Sequence, residues 1–159
     1  MAVNSETLDA LTIGIQSEIS AYVFYIEAIK LIDDGDFKIT LENLAAEEKK
    51  HFQILERQYD SLVRSEKWIS TADVLKQEGL PEINAEMAAK HKDLIETVGG
   101  LKTPLEILNM ALKLEVEAQN LFSRLAGSSK SEEGKKVFKH LAGFEEGHAK
   151  LIQGLIDKL

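Results

Sequence analysis

The sequence predicts an all-α protein, a four-helix bundle built from two helical hairpins with one long crossover between its second and third helices. Three observations lead to this prediction. Glycine and proline are scarce, with 10 and 2 among 159 residues. Apolar residues recur at i, i+3, i+4 and i+7 through four long segments, with no convincing strand. The second and third segments are separated by residues 65–101, and so long a connection lets their helices run parallel.

The first hairpin is predicted from two apolar stripes that flank a short turn. Its helices run from Ser5 to Ile32 and from Phe37 to Arg64, and the turn sequence DDGD, residues 33–36, separates them. Each stripe is wide enough to bury one helix face against a partner. The stripes consist of Leu8, Leu11, Ile15, Tyr22, Tyr25, Ile29 and Ile32 in the first helix and Leu41, Leu44, Ala45, Phe52, Leu55, Tyr59 and Leu62 in the second.

The second hairpin begins at the sequence TPLE. Thr103 is the expected N-cap, Pro104 suits the first helical position, and Glu106 completes a capping box. The sequence AGSSKSEEG, residues 126–134, ends this third helix, and a fourth amphipathic helix follows. In the crossover, TADVLKQ predicts a short helix and a second helical stretch ends near Val98.

Two short motifs reveal that the chain is an internal repeat. LAAEEKKH, residues 44–51, and LAGFEEGH, residues 141–148, both place Glu-x-x-His behind a Leu-Ala step, 97 positions apart. The same offset carries Glu18 onto Glu115 and Tyr25 onto Phe122. Residues 1–159 are therefore interpreted as a single domain. Its repeated halves are residues 5–64 and 102–159, and its crossover is residues 65–101.

The repeated acidic residues interrupt apolar stripes, so they are expected to face the core. Four buried carboxylates cannot all stay ionised unaided, because desolvation and like charges raise their pKa values. No lysine or arginine lies on these stripes, whereas two divalent cations would balance four carboxylates and two neutral imidazoles. The predicted metal ligands are Glu18, Glu48, His51, Glu115, Glu145 and His148, with Glu18 and Glu115 supplying the remaining oxygens or bridging.

The donor types restrict the metal without identifying it. The chain has no cysteine, which excludes thiolate zinc sites and iron–sulfur clusters. Oxygen and imidazole ligands suit iron, manganese or, less specifically, zinc. Either motif alone also fits a surface ion pair, and the matched set is what favours a metal centre.

Several other residues have a functional and a structural interpretation. Tyr25, one heptad from Glu18, is the candidate catalytic residue, because its hydroxyl could bind a ligand carboxylate or donate a proton or electron, although a core aromatic is the commoner explanation. Trp68 is expected to pack the crossover onto the bundle. We expect the remaining polar neighbours to lie at the surface: Glu47, Glu117, Glu146, His91 and His140.

The charge distribution excludes some partners. The net charge is −8 and there is no dense lysine or arginine block, so neither nucleic acid nor an anionic membrane is an expected partner. Glu6 and Asp9 stand where a signal peptide would carry basic residues, and no apolar run approaches membrane-spanning length. These features favour a cytoplasmic protein.

The six predicted ligands resemble the ligand set of ferritin-like di-iron proteins, and the hairpin spacing is most similar to the rubrerythrin branch. The resemblance implies a ferritin-like bundle with two iron ions as cofactor. It also implies a di-iron oxidoreductase that acts on hydrogen peroxide or oxygen, and a homodimer. Because the sequence has no cysteine-ligated rubredoxin-like domain, electrons are expected from an external donor such as rubredoxin.

Two alternatives stay open at this point. Typical rubrerythrins have a further carboxylate where this sequence has Ala118, so the six-ligand set also resembles bacterioferritin. An iron-binding or ferroxidase protein, without a storage cage, is therefore the second hypothesis. A purely structural bundle that uses the motifs as salt bridges is the third.

Overall fold

The computed structural model describes residues 5–33 and 35–159, and within these ranges the chain is all helical with no strand. The predicted fold class is therefore confirmed. The helices are α1 Ser5–Ile29, α2 Gly35–Ser65, α3 Thr71–Leu75, α4 Ala85–Ala89, α5 Lys92–Gly99, α6 Pro104–Ser128 and α7 Glu132–Asp157. None of the described helices is long and apolar enough to cross a membrane.

The four long helices pack as two hairpins. Helix α1 packs most closely against α2, and α6 packs most closely against α7, while α1 also contacts α6. The first turn differs slightly from the prediction, because α1 ends at Ile29 and α2 begins already at Gly35. The amides of Leu31 and Ile32 donate to carbonyls three residues earlier, so the end of α1 tightens into a turn. Asp34 of the predicted turn lies outside the described residues.

The ends of α6 and α7 are set by capping side chains. Thr103 Oγ1 accepts from the Glu106 amide at 3.1 Å, as predicted. The Glu106 carboxylate accepts from the amide of Lys102 at 3.0 Å instead of that of Thr103, so the capping box closes one residue earlier. The predicted break at residues 126–134 is shorter in the structure, since α6 continues to Ser128 and Ser131 caps α7.

The crossover lies against the bundle and is held there by polar side chains of α2. Gln58 is fully buried and exchanges two hydrogen bonds with the backbone of Ile69. Gln53 Nε2 donates to the Pro81 carbonyl at 3.1 Å. The Trp68 ring meets Phe138 edge-on, with centroids 6.3 Å apart, which confirms that Trp68 packs the crossover onto the bundle.

The apolar core has two clusters with a polar layer where they meet. One cluster contains Leu11, Phe52, Leu55, Phe122 and Phe138, and the other contains Phe24, Leu41, Leu108 and Ile152. On α2, α6 and α7 the chain passes from one cluster to the other at a buried glutamate. The fold thus sets its acidic residues in the middle of the bundle.

Candidate metal centre

The structure brings all six predicted ligands together inside the bundle. Every one of them is buried, and the four carboxylates are at most 1% exposed. Their donor atoms form two groups, each within 4.8 Å: Glu18, Glu48, His51 and Glu145 in one, and Glu48, Glu115, Glu145 and His148 in the other. Glu48 and Glu145 belong to both groups. The shared carboxylates are thus those of the two Glu-x-x-His motifs, and not Glu18 and Glu115, which the sequence analysis named as the possible bridging ligands.

Helix geometry and the internal repeat explain this arrangement. In each motif the histidine lies one turn beyond its glutamate on the same helix face. His51 Nδ1 lies 3.1 Å from Glu145 Oε1, and His148 Nδ1 lies 2.9 Å from Glu48 Oε1. The offset of the repeat carries one contact onto the other, so the two halves are related by an approximate twofold axis. The two imidazole rings stack near that axis, with centroids 5.8 Å apart.

Unpaired polar atoms indicate that the cluster suits cations. Each of the four carboxylates has at least one buried oxygen with no hydrogen-bond partner among the described residues, and Glu18 has two. Leaving such atoms unpaired away from water costs several kcal/mol each. In the described part of the chain, only the two histidines form ion pairs with these carboxylates. A donor set of oxygens and imidazole nitrogens therefore fits divalent cations such as iron, manganese or zinc.

The four carboxylates have shifted pKa values when no metal ion is bound and only protons balance their charge. Burial and the neighbouring Glu145 and Glu48 raise the pKa of Glu18 well above its usual value. Burial also raises the pKa of Glu115, to about 7. For Glu48 and Glu145, burial is outweighed by the hydrogen bonds that they accept, which lower the pKa of each.

The histidines carry the complementary charge. Burial alone would lower the pKa of both imidazoles, but hydrogen bonds to the surrounding carboxylates raise that of His51 to about 9 and that of His148 to about 12. The metal-free centre therefore holds protons on both histidines at neutral pH, and the raised pKa of Glu18 favours its protonated form. Bound cations would displace these protons, because metal ligands must be deprotonated.

Tyr25 makes the centre asymmetric. Its hydroxyl donates to Glu115 Oε1 at 2.6 Å, and both side chains are 1% exposed. Burial and the charge of Glu115 raise the pKa of Tyr25 well above its usual value, so the phenol keeps its proton. At the matching position Phe122 has no hydroxyl, and neither oxygen of Glu18 has a hydrogen-bond partner in the described residues, although His51 Nδ1 lies 3.6 Å from Glu18 Oε2. Glu115 is thus anchored by the protein, whereas Glu18 is not.

The remaining predicted surface residues fall into two groups. Glu117, Glu146 and His140 are exposed as expected, whereas Glu47 is half-buried. The prediction for His91 is wrong in part, because it is also half-buried and its Nδ1 lies 2.9 Å from Ser20 Oγ on α1. Periodicity could not reveal this contact, since it depends on how the crossover docks.

Phe144 is a neighbour of the centre that the sequence did not indicate. Its ring lies 5.1 Å from the ring of His51 and 4.7 Å from that of His140, measured between centroids. It is 40% exposed, so it resembles an ordinary surface aromatic in the sequence. The sequence feature that could have indicated its role is a difference between the two repeats, since Phe144 aligns with Glu47.

Comparisons with known proteins agree with this geometry. Residues 106–159 match the model of the rubrerythrin family, which confirms the rubrerythrin-like resemblance inferred from the ligand spacing. The matched segment includes Glu115, Glu145 and His148. A solved structure of a hypothetical protein from Pyrococcus furiosus is similar over 95% of this chain and 88% of its own, with a TM-score of 0.65 and 24% identity, and shares the fold. No curated protein sequence matches the chain.

Proposed function

We propose that this protein is a non-haem di-iron oxidoreductase that reduces hydrogen peroxide or oxygen with electrons from an external carrier. The observation that carries the proposal is the pair of overlapping ligand groups, in which four buried carboxylates keep unpaired oxygens. The rubrerythrin match of residues 106–159 supports iron as the metal. Zinc would not support this activity, because it has no redox chemistry.

The reaction needs electrons that the metals supply and protons that the protein can hold. Two iron ions would provide the two electrons that break an O–O bond. Reduction of one peroxide then consumes two protons and forms two water molecules. The Tyr25 hydroxyl, hydrogen-bonded to Glu115 Oε1, keeps one proton beside the metal ligands.

The two unshared carboxylates have different roles in this proposal. Glu18 has no hydrogen-bond partner on either oxygen among the described residues, so no hydrogen bond from the protein fixes the position of its carboxylate. Glu115 is held by Tyr25, so it fixes the geometry of its half of the centre. A carrier such as rubredoxin would return the electrons, because residues 1–159 contain no cysteine with which to bind a rubredoxin-type iron.

A stopped-flow experiment tests the proposal. Protein loaded with Fe(II) under anaerobic conditions is mixed with hydrogen peroxide, and oxidation is followed by absorbance. We expect fast oxidation with one peroxide consumed per two irons, and loss of the fast phase in Glu48→Gln and Glu145→Gln. Glu146→Gln removes the same charge from an exposed neighbour and should behave like the parent. Slow oxidation in the parent, or equal rates in all variants, would contradict the proposal.

A second candidate is a ferroxidase that binds iron in order to sequester or transfer it. Ala118 favours it, because this buried alanine stands where typical rubrerythrins have a further carboxylate, and the ligand set is correspondingly symmetric. Aerobic addition of Fe(II) separates the two candidates. A catalyst should stop binding near two irons per chain, whereas a sequestering protein should continue to take up iron.

A further inference from the structure

The two histidines of the centre are covered differently. His51 is 2% exposed and His148 is 9% exposed. The ring of Phe144, which comes from the opposite helix α7, lies against His51. Phe144 is in turn packed edge-on against His140, so two rings cover the His51 side.

The internal repeat identifies what stands on the other side. The residue that matches Phe144 is Glu47, one turn before His51 on α2. The antiparallel register that sets His51 against Glu145 also sets His148 against Glu48. By the repeat, Glu47 takes the position relative to His148 that Phe144 takes relative to His51. One histidine is covered by an aromatic ring, and at the matching position of the other half the chain has a carboxylate instead.

This difference occurs between two helices that belong to different hairpins. Helices α2 and α7 pack less closely on each other than the helices of either hairpin. Side chains, rather than a tight backbone contact, close the centre at this α2–α7 seam. The Glu47 side chain is 40% exposed, and its contact with Lys50 Nζ at 3.6 Å is an exposed pair that does little to neutralise it.

We propose that metal ions enter and leave the centre over the His148 edge of the α2–α7 seam, guided by Glu47, while Phe144 closes the His51 edge. The inference rests on the metal centre of the proposed function. A carboxylate at an opening raises the local concentration of cations, whereas an apolar ring opposes the passage of a hydrated ion. The two bound ions should consequently exchange at different rates, with the ion on the His148 side exchanging faster.

Cobalt(II) is a suitable probe, because its visible absorption reports ligation without turnover. Loading is followed by stopped flow, and release is followed after addition of excess chelator. The parent should bind two Co²⁺ per chain and release them in two phases. Phe144→Ala should accelerate the slow phase by about two- to tenfold, which corresponds to the roughly 0.5–1.5 kcal/mol of an aromatic contact. Phe144→Leu should stay close to the parent.

The charge at the opening is tested in the same assay. Glu47→Gln should slow loading by roughly threefold at low ionic strength, and the difference should vanish in high salt. Two matched controls should load and release like the parent. Glu146→Gln removes an exposed carboxylate, and Leu151→Ala shortens an apolar side chain on α7 that is 47% exposed.

The outcomes separate this inference from the centre itself. If all variants bind two cobalt ions but Glu47→Gln and Phe144→Ala have parental kinetics, the proposed route is wrong and the centre stands. If Glu146→Gln slows loading as much as Glu47→Gln, general surface charge guides the ion and the route is again wrong. If the parent binds no cobalt, or if Glu48→Gln binds as much cobalt as the parent, these residues do not form a metal centre, and the proposed route is wrong as well.

Discussion

Replacing Tyr25 with phenylalanine removes a single hydroxyl from the middle of the bundle and should measurably destabilise the protein. The hydroxyl donates to Glu115 Oε1 at 2.6 Å in a region without solvent contact. Glu115 Oε2 already has no hydrogen-bond partner among the described residues, so the variant leaves both oxygens without a hydrogen bond. The ring itself should be tolerated, because Phe122 occupies the matching position in the other half.

The expected size follows from the loss of one partner of a buried hydrogen bond. Leaving a buried acceptor unsatisfied costs about 1–3 kcal/mol, and an ionised acceptor belongs in the upper part of that range. We therefore expect Tyr25→Phe to lower the free energy of unfolding by about 2 kcal/mol. At about 2.1 cal/mol/K per residue, unfolding of 159 residues has an entropy of about 0.33 kcal/mol/K. The melting temperature of the metal-free variant should therefore fall by about 6 °C at pH 8.

The pH dependence of this loss provides a check on its cause. Glu115 has a pKa of about 7, so it is ionised at pH 8 and protonated at pH 5.5. A neutral acceptor forms a bond roughly half as strong, and the loss should shrink to about 3 °C at the lower pH.

Calorimetry of the metal-free proteins measures these shifts, with Tyr22→Phe as the control. Tyr22 is half-buried and its hydroxyl has no hydrogen bond in the part of the chain that the structure describes, so removing the hydroxyl should change the melting temperature by less than about 2 °C. Equal effects of the two substitutions, or a loss for Tyr25→Phe that does not depend on pH, would refute the reasoning.

Three further predictions concern metal, pH and packing. Free metal at 100 times its dissociation constant should stabilise the folded protein by about 2.7 kcal/mol per site, so two ions should raise the melting temperature by roughly 16 °C. Chelation should reverse this increase, and an unchanged melting curve would favour the purely structural bundle. Metal-free protein should lose stability as pH rises from about 6 to 10, because the raised pKa values of His51 and Glu18 mean that the folded state still binds protons that the unfolded state has released. Metal affinity should rise over the same pH range, because metal binding releases these protons. If stability and metal affinity changed in the same direction, this assignment of protons would be contradicted. Gly134→Ala should lower the free energy of unfolding in urea by about 1–3 kcal/mol, because the new methyl group would lie 2.8 Å from Trp68 Cζ2 and 2.6 Å from Ser129 Oγ. Gly143→Ala lies on an open helix surface and should raise the free energy of unfolding by about 0.5–1 kcal/mol. Similar effects at both glycines would contradict the close packing at Gly134.

The convergence of the ligands was predictable because it depends on two regular quantities. Helical spacing puts His51 on the face of Glu48, and the repeat then fixes the same relation in the second half. Neither step needs atomic detail. The fold class follows for the same reason, since the apolar stripes fix which helix faces are buried.

The features that were not predictable depend on how separate segments dock. Which carboxylates are shared follows from the distances between helices, and these distances are set by core packing that the sequence does not display. The bond between Ser20 and His91 and the cover of Phe144 over His51 arise from contacts far apart in the chain. The end of α1 at Ile29 shows a similar limit, because Ile32 continues the apolar stripe although the backbone has already turned.

Anomalous scattering at the iron and manganese edges, from crystals of protein purified without added metal, tests the central claim most directly. The account predicts two anomalous peaks about 3.5–4 Å apart, lying between Glu48 and Glu145, with the iron edge giving the signal. A refined structure without cations within reach of these side chains, or with the four carboxylates turned toward water, would contradict it.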